Sequence, residues 1–195
     1  MRARTRNTVA AVLTGALIAV ASPAIAHAQS PKSDDVPLPV ASILAVGDGK
    51  YGVQNYKSKK FLQPAGASTA NGAKIVQQSE SLSGSDYSAV QNWNAFNSGG
   101  DLTSFENSLS HKNLGIDGAS TAVGAAAIQA NPAGDANQDW QFITKSSYPS
   151  GWYALKNSKS KLCLGISGAS TANGAQAAQF TCDDSDNQLW RIIDR

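Results

Sequence analysis

The pentapeptide Gly-Ala-Ser-Thr-Ala stands unchanged at Gly66–Ala70, Gly118–Ala122 and Gly168–Ala172, at intervals of 52 and 50 residues. Each copy runs on to a Gly-Ala pair (Gly72-Ala73, Gly124-Ala125, Gly174-Ala175) and then to a glutamine, Gln77, Gln129 or Gln179. Each closes on Gln-x-Trp, with Trp93, Trp140 and Trp190 as the final residues. Five features in one order, three times over, make an internal repeat, with units at about 50–99, 100–149 and 150–195. One such unit cannot bury its apolar face alone, so the three must close around a shared core. A propeller typically takes four or more blades, which three units do not supply. The tryptophans are the natural structural anchors, each burying on the order of 150–250 Å². The glutamine beside each reads as an amide that ties loops together.

Within a unit, segments such as Gly151–Leu155, Leu162–Ile166 and Ala175–Phe180 are short and apolar, with Gly, Asn and Ser between them. That is the pattern of short strands joined by tight turns. Asn71-Gly72 and Asn173-Gly174 suit hairpin turns, because both residue types tolerate positive φ. After the first thirty residues or so no stretch keeps a 3.6-residue apolar period. The expected class is all-β.

The chain opens differently. Arg2, Arg4 and Arg6 precede an apolar run from Val9 to Val20, and Ala24-Ile25-Ala26-His27-Ala28 supplies small residues for cleavage. This is the layout of a secretory signal peptide over residues 1–28, cut after Ala28 or Ala26. The run is too short for a bilayer, which takes about 20 residues, so no membrane insertion is expected. A secreted, extracellular protein is expected. Gln29 to Ser42 carries three prolines and reads as an extended linker, with the N-terminal segment reaching residue 49. Ile43 to Val46 either docks as a first strand or anchors the linker. The formal charge of +2 rests on the three early arginines; without them 13 basic residues face 14 acidic ones. A nucleic-acid partner would need a dense basic face, and none is expected.

Threefold Gln-x-Trp, with Cys163-Leu-Gly-Ile-Ser-Gly-Ala-Ser-Thr-Ala-Asn-Gly-Ala175 upstream, resembles the ricin-B-type lectin repeat, also called the family 13 carbohydrate-binding module. The resemblance covers about Lys50 to Arg195. It implies a β-trefoil domain over residues 50–195, with four strands per repeat, six strands forming a barrel and six forming capping hairpins. It also implies up to one galactose-type sugar site per repeat. Two cysteines in a secreted chain are most simply a disulfide, and the family often carries one at the place of Cys163 and Cys182. The matching positions are Phe61 with Glu80 and Asn113 with Pro132, so those copies lack the bridge. Two thiols and one histidine, His111, do not make a metal site, and no cofactor is implied.

Family sugar sites use an Asp two residues after the first Cys position, an aromatic residue after the mid-repeat Gln, and an Asn before the final Gln. An aromatic platform suits the C–H face of a pyranose, and fixed polar groups suit its hydroxyl rim. Here the Asp position holds Gln63, Gly115 and Gly165, the aromatic position Gln78, Ala130 and Phe180, and the Asn position Val90, Asn137 and Asn187. The third repeat alone keeps the platform, so Gln179, Phe180, Asn187 and Gln188 are the expected sugar contacts. Asp183, Asp184 and Asp186 could replace the lost acid from another direction, as could Asp117 for repeat two.

Neither a hydrolytic triad nor a marked carboxylate pair stands out. His111 lies in a Ser-His-Lys-Asn loop, so no catalytic residue is assigned and the chain is read as a non-enzyme. The expected function is weak recognition of a galactose- or pentose-type glycan or polysaccharide, mainly through the third repeat. The alternative is a degenerate trefoil serving as a protein-interaction or protease-inhibitor module, presenting Lys57–Lys60 or Lys159–Lys161.

Overall fold

The computed structural model describes residues 36–37, 49–83 and 86–195. The chain divides into two compact units, Met1–Lys32 and Ser33–Arg195, and every described residue belongs to the second. The expected signal peptide and the Ile43–Val46 segment lie outside the described residues. Of the expected linker, Val36–Pro37 pairs antiparallel with Ile143 and Thr144, so this stretch supplies a short strand where only extended chain is expected. Proline lacks an N–H, which confines it to such edge positions.

Each repeat contributes four strands. They are Lys50–Asn55, Phe61–Pro64, Ile75–Gln78 and Trp93–Gly99 in the first repeat. The second has Leu102–Asn107, Asn113–Ile116, Ala127–Ala130 and Asp139–Thr144. The third has Tyr153–Asn157, Cys163–Ile166, Ala177–Phe180 and Leu189–Asp194. The first and fourth strands of the repeats pair in one antiparallel ring of six, closed by Asp139–Thr144 against Leu102–Asn107. The second and third strands form three hairpins attached to that ring. Single-residue bridges Lys74–Ile128, Val76–Gln176 and Ala126–Ala178 join the hairpins about a pseudo-threefold axis. A closed six-stranded barrel with a hairpin triplet is a β-trefoil. Repeat one has a longer path from Gln77 to Gln91, taken up by a small pairing of Leu82–Ser83 with Asp86–Tyr87.

The three Gln-x-Trp tryptophans are fully buried in one cluster with Leu62, Leu114 and Leu164. Each indole N–H donates to the carbonyl of the leucine on the second strand of its own repeat: Leu62 at 3.1 Å, Leu114 at 3.0 Å and Leu164 at 2.9 Å. The bond spares the indole the desolvation penalty of an unpaired donor. It also fixes where each hairpin leaves the barrel.

The mid-repeat glutamines join one repeat to another. Gln77 Nε2 donates to Ser170 O and Ala172 O, both at 2.9 Å, in the third repeat. Gln129 does the same to Ser68 and Ala70 in the first, and Gln179 to Ser120 and Ala122 in the second. Their Oε1 atoms accept from Ser58, Ser110 and Ser160 at 2.6–2.7 Å. Those serines follow Asn55, Asn107 and Asn157, three buried asparagines that are not among the expected anchors. Each asparagine side chain donates to carbonyls beside a Gln-x-Trp segment, as Asn55 does to Asn187 O at 2.9 Å. Each also accepts from backbone N–H groups two and three residues on, which folds the turn.

The arms of each hairpin are closed by different chemistry in each repeat. In repeat three Cys163 is bonded to Cys182, with 5.1 Å between the Cα atoms. At the corresponding Phe61 and Glu80 of repeat one, the Arg195 guanidinium lies 4.1 Å from the Phe61 ring and 2.5 Å from Glu80 Oε1. Gly52 makes the room, since a Cβ there would lie 2.4 Å from the guanidino Nε. In repeat two Asn113 Nδ2 donates to Gln138 Oε1 at 3.0 Å.

At the hairpin tips only the glycine of Asn71-Gly72 and Asn173-Gly174 takes a positive φ, 80° and 78°. The asparagine is therefore not needed for backbone freedom, contrary to the hairpin-turn expectation, and its side chain serves the next repeat. Asn71 Oδ1 accepts from the Asn131 N–H at 2.7 Å, and Asn173 Oδ1 from the Ser79 N–H at 3.0 Å. Val123, 61% exposed, holds this position in repeat two, and Thr181 is the repeat counterpart of Asn131 and Ser79. Val123→Asn should complete the third clasp and stabilise the protein by about 0.5–1.5 kcal/mol. The expected readout is a higher urea midpoint at unchanged slope; an unchanged or lower midpoint would refute the clasp.

Candidate carbohydrate site in the third repeat

Gly165, on the strand Cys163–Ile166, is the meeting point of the expected site residues. A Cβ at this glycine would lie 3.0 Å from Gln188 Cγ, 3.1 Å from Phe180 Cδ2 and 3.3 Å from Asn187 Nδ2. Phe180 closes its strand and is partly exposed, directly opposite Cys163 in the ladder. Asn187 and Gln188 arrive on a short 3-10 turn, Asp186–Gln188. The side chains over Gly165 occupy the place a family aspartate would take, so Gly165→Asp alone would require the phenyl ring to move.

The four residues divide into two kinds. Asn187 is 9% exposed; its Nδ2 donates to Ile166 O at 3.2 Å, and its Oδ1 carries no protein hydrogen bond among the described residues. With the partly exposed ring of Phe180, this is a stacking surface beside an available amide oxygen. Gln188 is buried, and its Nε2 donates to Thr181 O at 3.0 Å, holding the loop that leads into the turn. Gln179 departs from expectation altogether. It is completely buried and its amide is consumed by Ser120, Ala122 and Ser160. Alternation along a strand explains this, because neighbours point to opposite faces: Phe180 points outward and Gln179 inward.

Of the three aspartates in the loop, two have partners. Asp183 Oδ1 accepts from the Ser185 hydroxyl at 2.6 Å. Asp184 accepts from Tyr148 Oη at 2.5 Å and from Lys145 Nζ at 2.9 Å. Asp186 is exposed and directly precedes Asn187, where repeats one and two have Ala89 and Ala136. It is the loop carboxylate with no side-chain partner among the described residues, and the sequence marks it only as part of an acidic run. Tyr148 also packs with Cys182 against Ile143, Ala154, Cys163 and Leu189, so clasp and disulfide hold one loop from two sides.

The other repeats lack this arrangement. At Gly115 the nearest atoms are Gln138 Cγ and the backbone and amide of Asn137, with Ala130 in place of an aromatic. Asp117 starts an exposed 3-10 turn. In repeat one Gln63 accepts from Gln91 Nε2 at 2.9 Å, so the would-be acid position is tied to the Gln-x-Trp glutamine. His111 is exposed and its Nδ1 lies 3.4 Å from Glu106 Oε1. Among the described residues, no group of three or more His, Cys, Asp or Glu is placed to hold a metal ion.

A ricin-type beta-trefoil lectin domain-like family profile matches residues 42–130 and 136–195. The chain belongs to this family. Among solved structures, this trefoil lectin-like chain is similar to the designed 3-fold symmetric protein ThreeFoil, with 33% identity over 76% of this chain and all of that one, at a TM-score of 0.68. It is also similar to the exo-beta-1,3-galactanase 1,3Gal43A from Clostridium thermocellum, with 25% identity over 75% of this chain and 30% of that one, at a TM-score of 0.68. The Macrolepiota procera ricin B-like lectin, solved with lactose, shares the fold at 17% identity and a TM-score of 0.61, over 76% and 96% of the two chains. No curated protein matches the chain by sequence.

Burial raises the pKa of the Asp184 carboxyl, but the hydrogen bonds from Tyr148 and Lys145 and the lysine charge outweigh it, and the net displacement is downward. The unfolded chain therefore binds that proton more readily than the folded one. The stabilisation is fully present above the ordinary aspartate range, about pH 4, and is lost as the pH falls through the lower folded value. Acidification should loosen Asp183–Asp186 before the barrel opens, read as loss of amide protection there and a shift of the Tyr148 resonances. Asp184→Asn should remove the pH dependence, and an identical acid response in that variant would refute the clasp.

Proposed function

We propose that the protein is a secreted, non-catalytic glycan-binding protein that recognises a galactose- or pentose-type sugar through its third repeat. Family membership supports carbohydrate binding in general. The observation that carries the finer reading is the convergence of Phe180 and Asn187 over Gly165, on arms joined by Cys163–Cys182. The phenyl ring stacks on the C–H face of the sugar, the Asn187 oxygen accepts from a ring hydroxyl, and Asp186 supplies the charge-assisted contact that the family places elsewhere. One shallow site of this kind gives an affinity on the order of millimolar, about −4 kcal/mol.

Phe180→Ala should weaken binding by up to about tenfold, since a stacked ring contributes roughly 0.5–1.5 kcal/mol. Chemical-shift titration with galactose and with xylose reads the effect directly. Shifts should cluster at Phe180, Asp186 and Asn187 in the parent and fade in the variant. Shifts centred on Gln78 or Ala130 and indifferent to Phe180→Ala would contradict the assignment.

A further inference from the structure

The outer wall of the barrel carries three pseudo-equivalent rows of residues, each crossing three paired strands just beyond a Gln-x-Trp tryptophan. One row runs Glu106, Asn94, Lys50, and a second runs Lys156, Gln141, Leu102. The third runs Gln54, Arg191 and then Trp152, which precedes the Tyr153–Trp190 pair. The first two rows hold their own acid: Glu106 accepts from Asn94 and lies against His111, and Asp101 accepts from Gln141. The third has a neutral amide, Gln54, at the place of Glu106.

Around that row stand two cations and two aromatic rings. Arg191 Cζ lies 4.8 Å from the Trp152 ring, and Lys59 Nζ lies 4.7 Å from the same ring and 3.9 Å from Tyr56. The two rings meet edge-on with centroids 4.8 Å apart. Gln54 accepts from Arg191 at 2.9 Å and donates to Lys59 O at 2.9 Å, fixing both basic residues. Among the described residues neither Lys59 nor Arg191 has a carboxylate partner. The fold does not require the cluster, because its counterparts are Ser108 and Ser158 for Tyr56, and Leu102 and Lys50 for Trp152. Tyr56 follows Asn55, whose side chain donates to Asn187 O, so the cluster abuts the Asn187–Leu189 arm of the third repeat.

We infer that Lys59 and Arg191, set on Tyr56 and Trp152, form a second subsite that takes the anionic group of an acidic saccharide, a carboxylate or a sulfate. The inference rests on the carbohydrate reading but uses different residues. An exposed guanidinium is a strong donor to such oxygens; Trp152 is buried and holds the two cations in place, and the partly exposed ring of Tyr56 meets the saccharide body. A cationic ligand is repelled here and a neutral one leaves both charges unpaired.

The test is titration of the disulfide-intact protein with a galacturonic acid oligosaccharide, a sulfated oligosaccharide of equal length, a neutral galactose oligosaccharide and poly-glutamate. One or both acidic saccharides should bind more tightly than the neutral one, weaken with added salt, and lose about tenfold in Lys59→Gln/Arg191→Gln. The tighter of the two names the source of the anion. Trp152→Leu, the residue repeat two already carries, should weaken acidic binding too. Phe180→Ala should leave the charge-dependent increment intact, so failure of the third-repeat site reads separately, in the neutral titration. Equal affinity for acidic and neutral oligosaccharides, an unaffected double variant, or poly-glutamate binding as tightly as the acidic saccharides would overturn the inference.

Discussion

A buried primary amide is costly unless every donor and acceptor on it is used. The trefoil turns that cost into the link between its repeats. Gln77, Gln129 and Gln179 each reach out of their own repeat and hold two carbonyls of another, so the loops are shaped by a residue about a hundred or sixty positions away in sequence. This explains most of the unchanged pentapeptide. Its Gly and Ala both take positive φ, as at Gly66 (63°) and Ala67 (54°), which turns the Ser and final Ala carbonyls towards the visiting amide. Its Ser hydroxyl accepts from the N–H two residues on, as Ser68 does from Ala70 at 3.1 Å. The threonine is exposed in every copy, and nothing in the structure explains its identity.

On that shared frame the repeats differ where they face solvent or close their arms. A disulfide, an arginine between a ring and a carboxylate, and an amide pair hold three equivalent gaps. Among the described residues, the partly exposed phenyl ring, an asparagine oxygen and an aspartate without protein partners fall together in repeat three. The pair of rings carrying Lys59 and Arg191 stands at the junction of repeats one and three. The buried network is symmetric, and the differences between repeats lie outside it.

Much of this was legible before the structure. Threefold Gln-x-Trp with interrupted short apolar runs leads to an all-β threefold domain, because tryptophans at a fixed period must share one core. The meeting of Phe180 with Asn187 over Gly165 was legible as well, since only the third repeat has both an aromatic and an asparagine at those positions. The role of Gln179 was not, because adjacent strand residues differ in facing, and the alternation is hidden in a segment as small and apolar as Ala175–Phe180. Asn55, Asn107 and Asn157 left a signal, a repeated Asn-x-x-Ser, but polar residues in turns are common and only burial reveals their function. The Arg195 closure joins residues far apart in sequence with no repeated counterpart, so no pattern marks it.

The account rests on the claim that the glutamine stitches make the three repeats one cooperative unit. The Gly72, Gly124 and Gly174 amides donate to Gln129, Gln179 and Gln77 carbonyls, one across each pair of repeats. Native-state hydrogen exchange at these amides in Gln129→Met tests it most directly. The side chain is nearly isosteric but leaves the buried Ser110 hydroxyl without its acceptor, a loss of roughly 1–3 kcal/mol, and the part-buried Ser68 O and Ala70 O without their donor. Protection should fall by the same amount at all three glycines. A loss confined to Gly72, with Gly124 and Gly174 as protected as before, would contradict it.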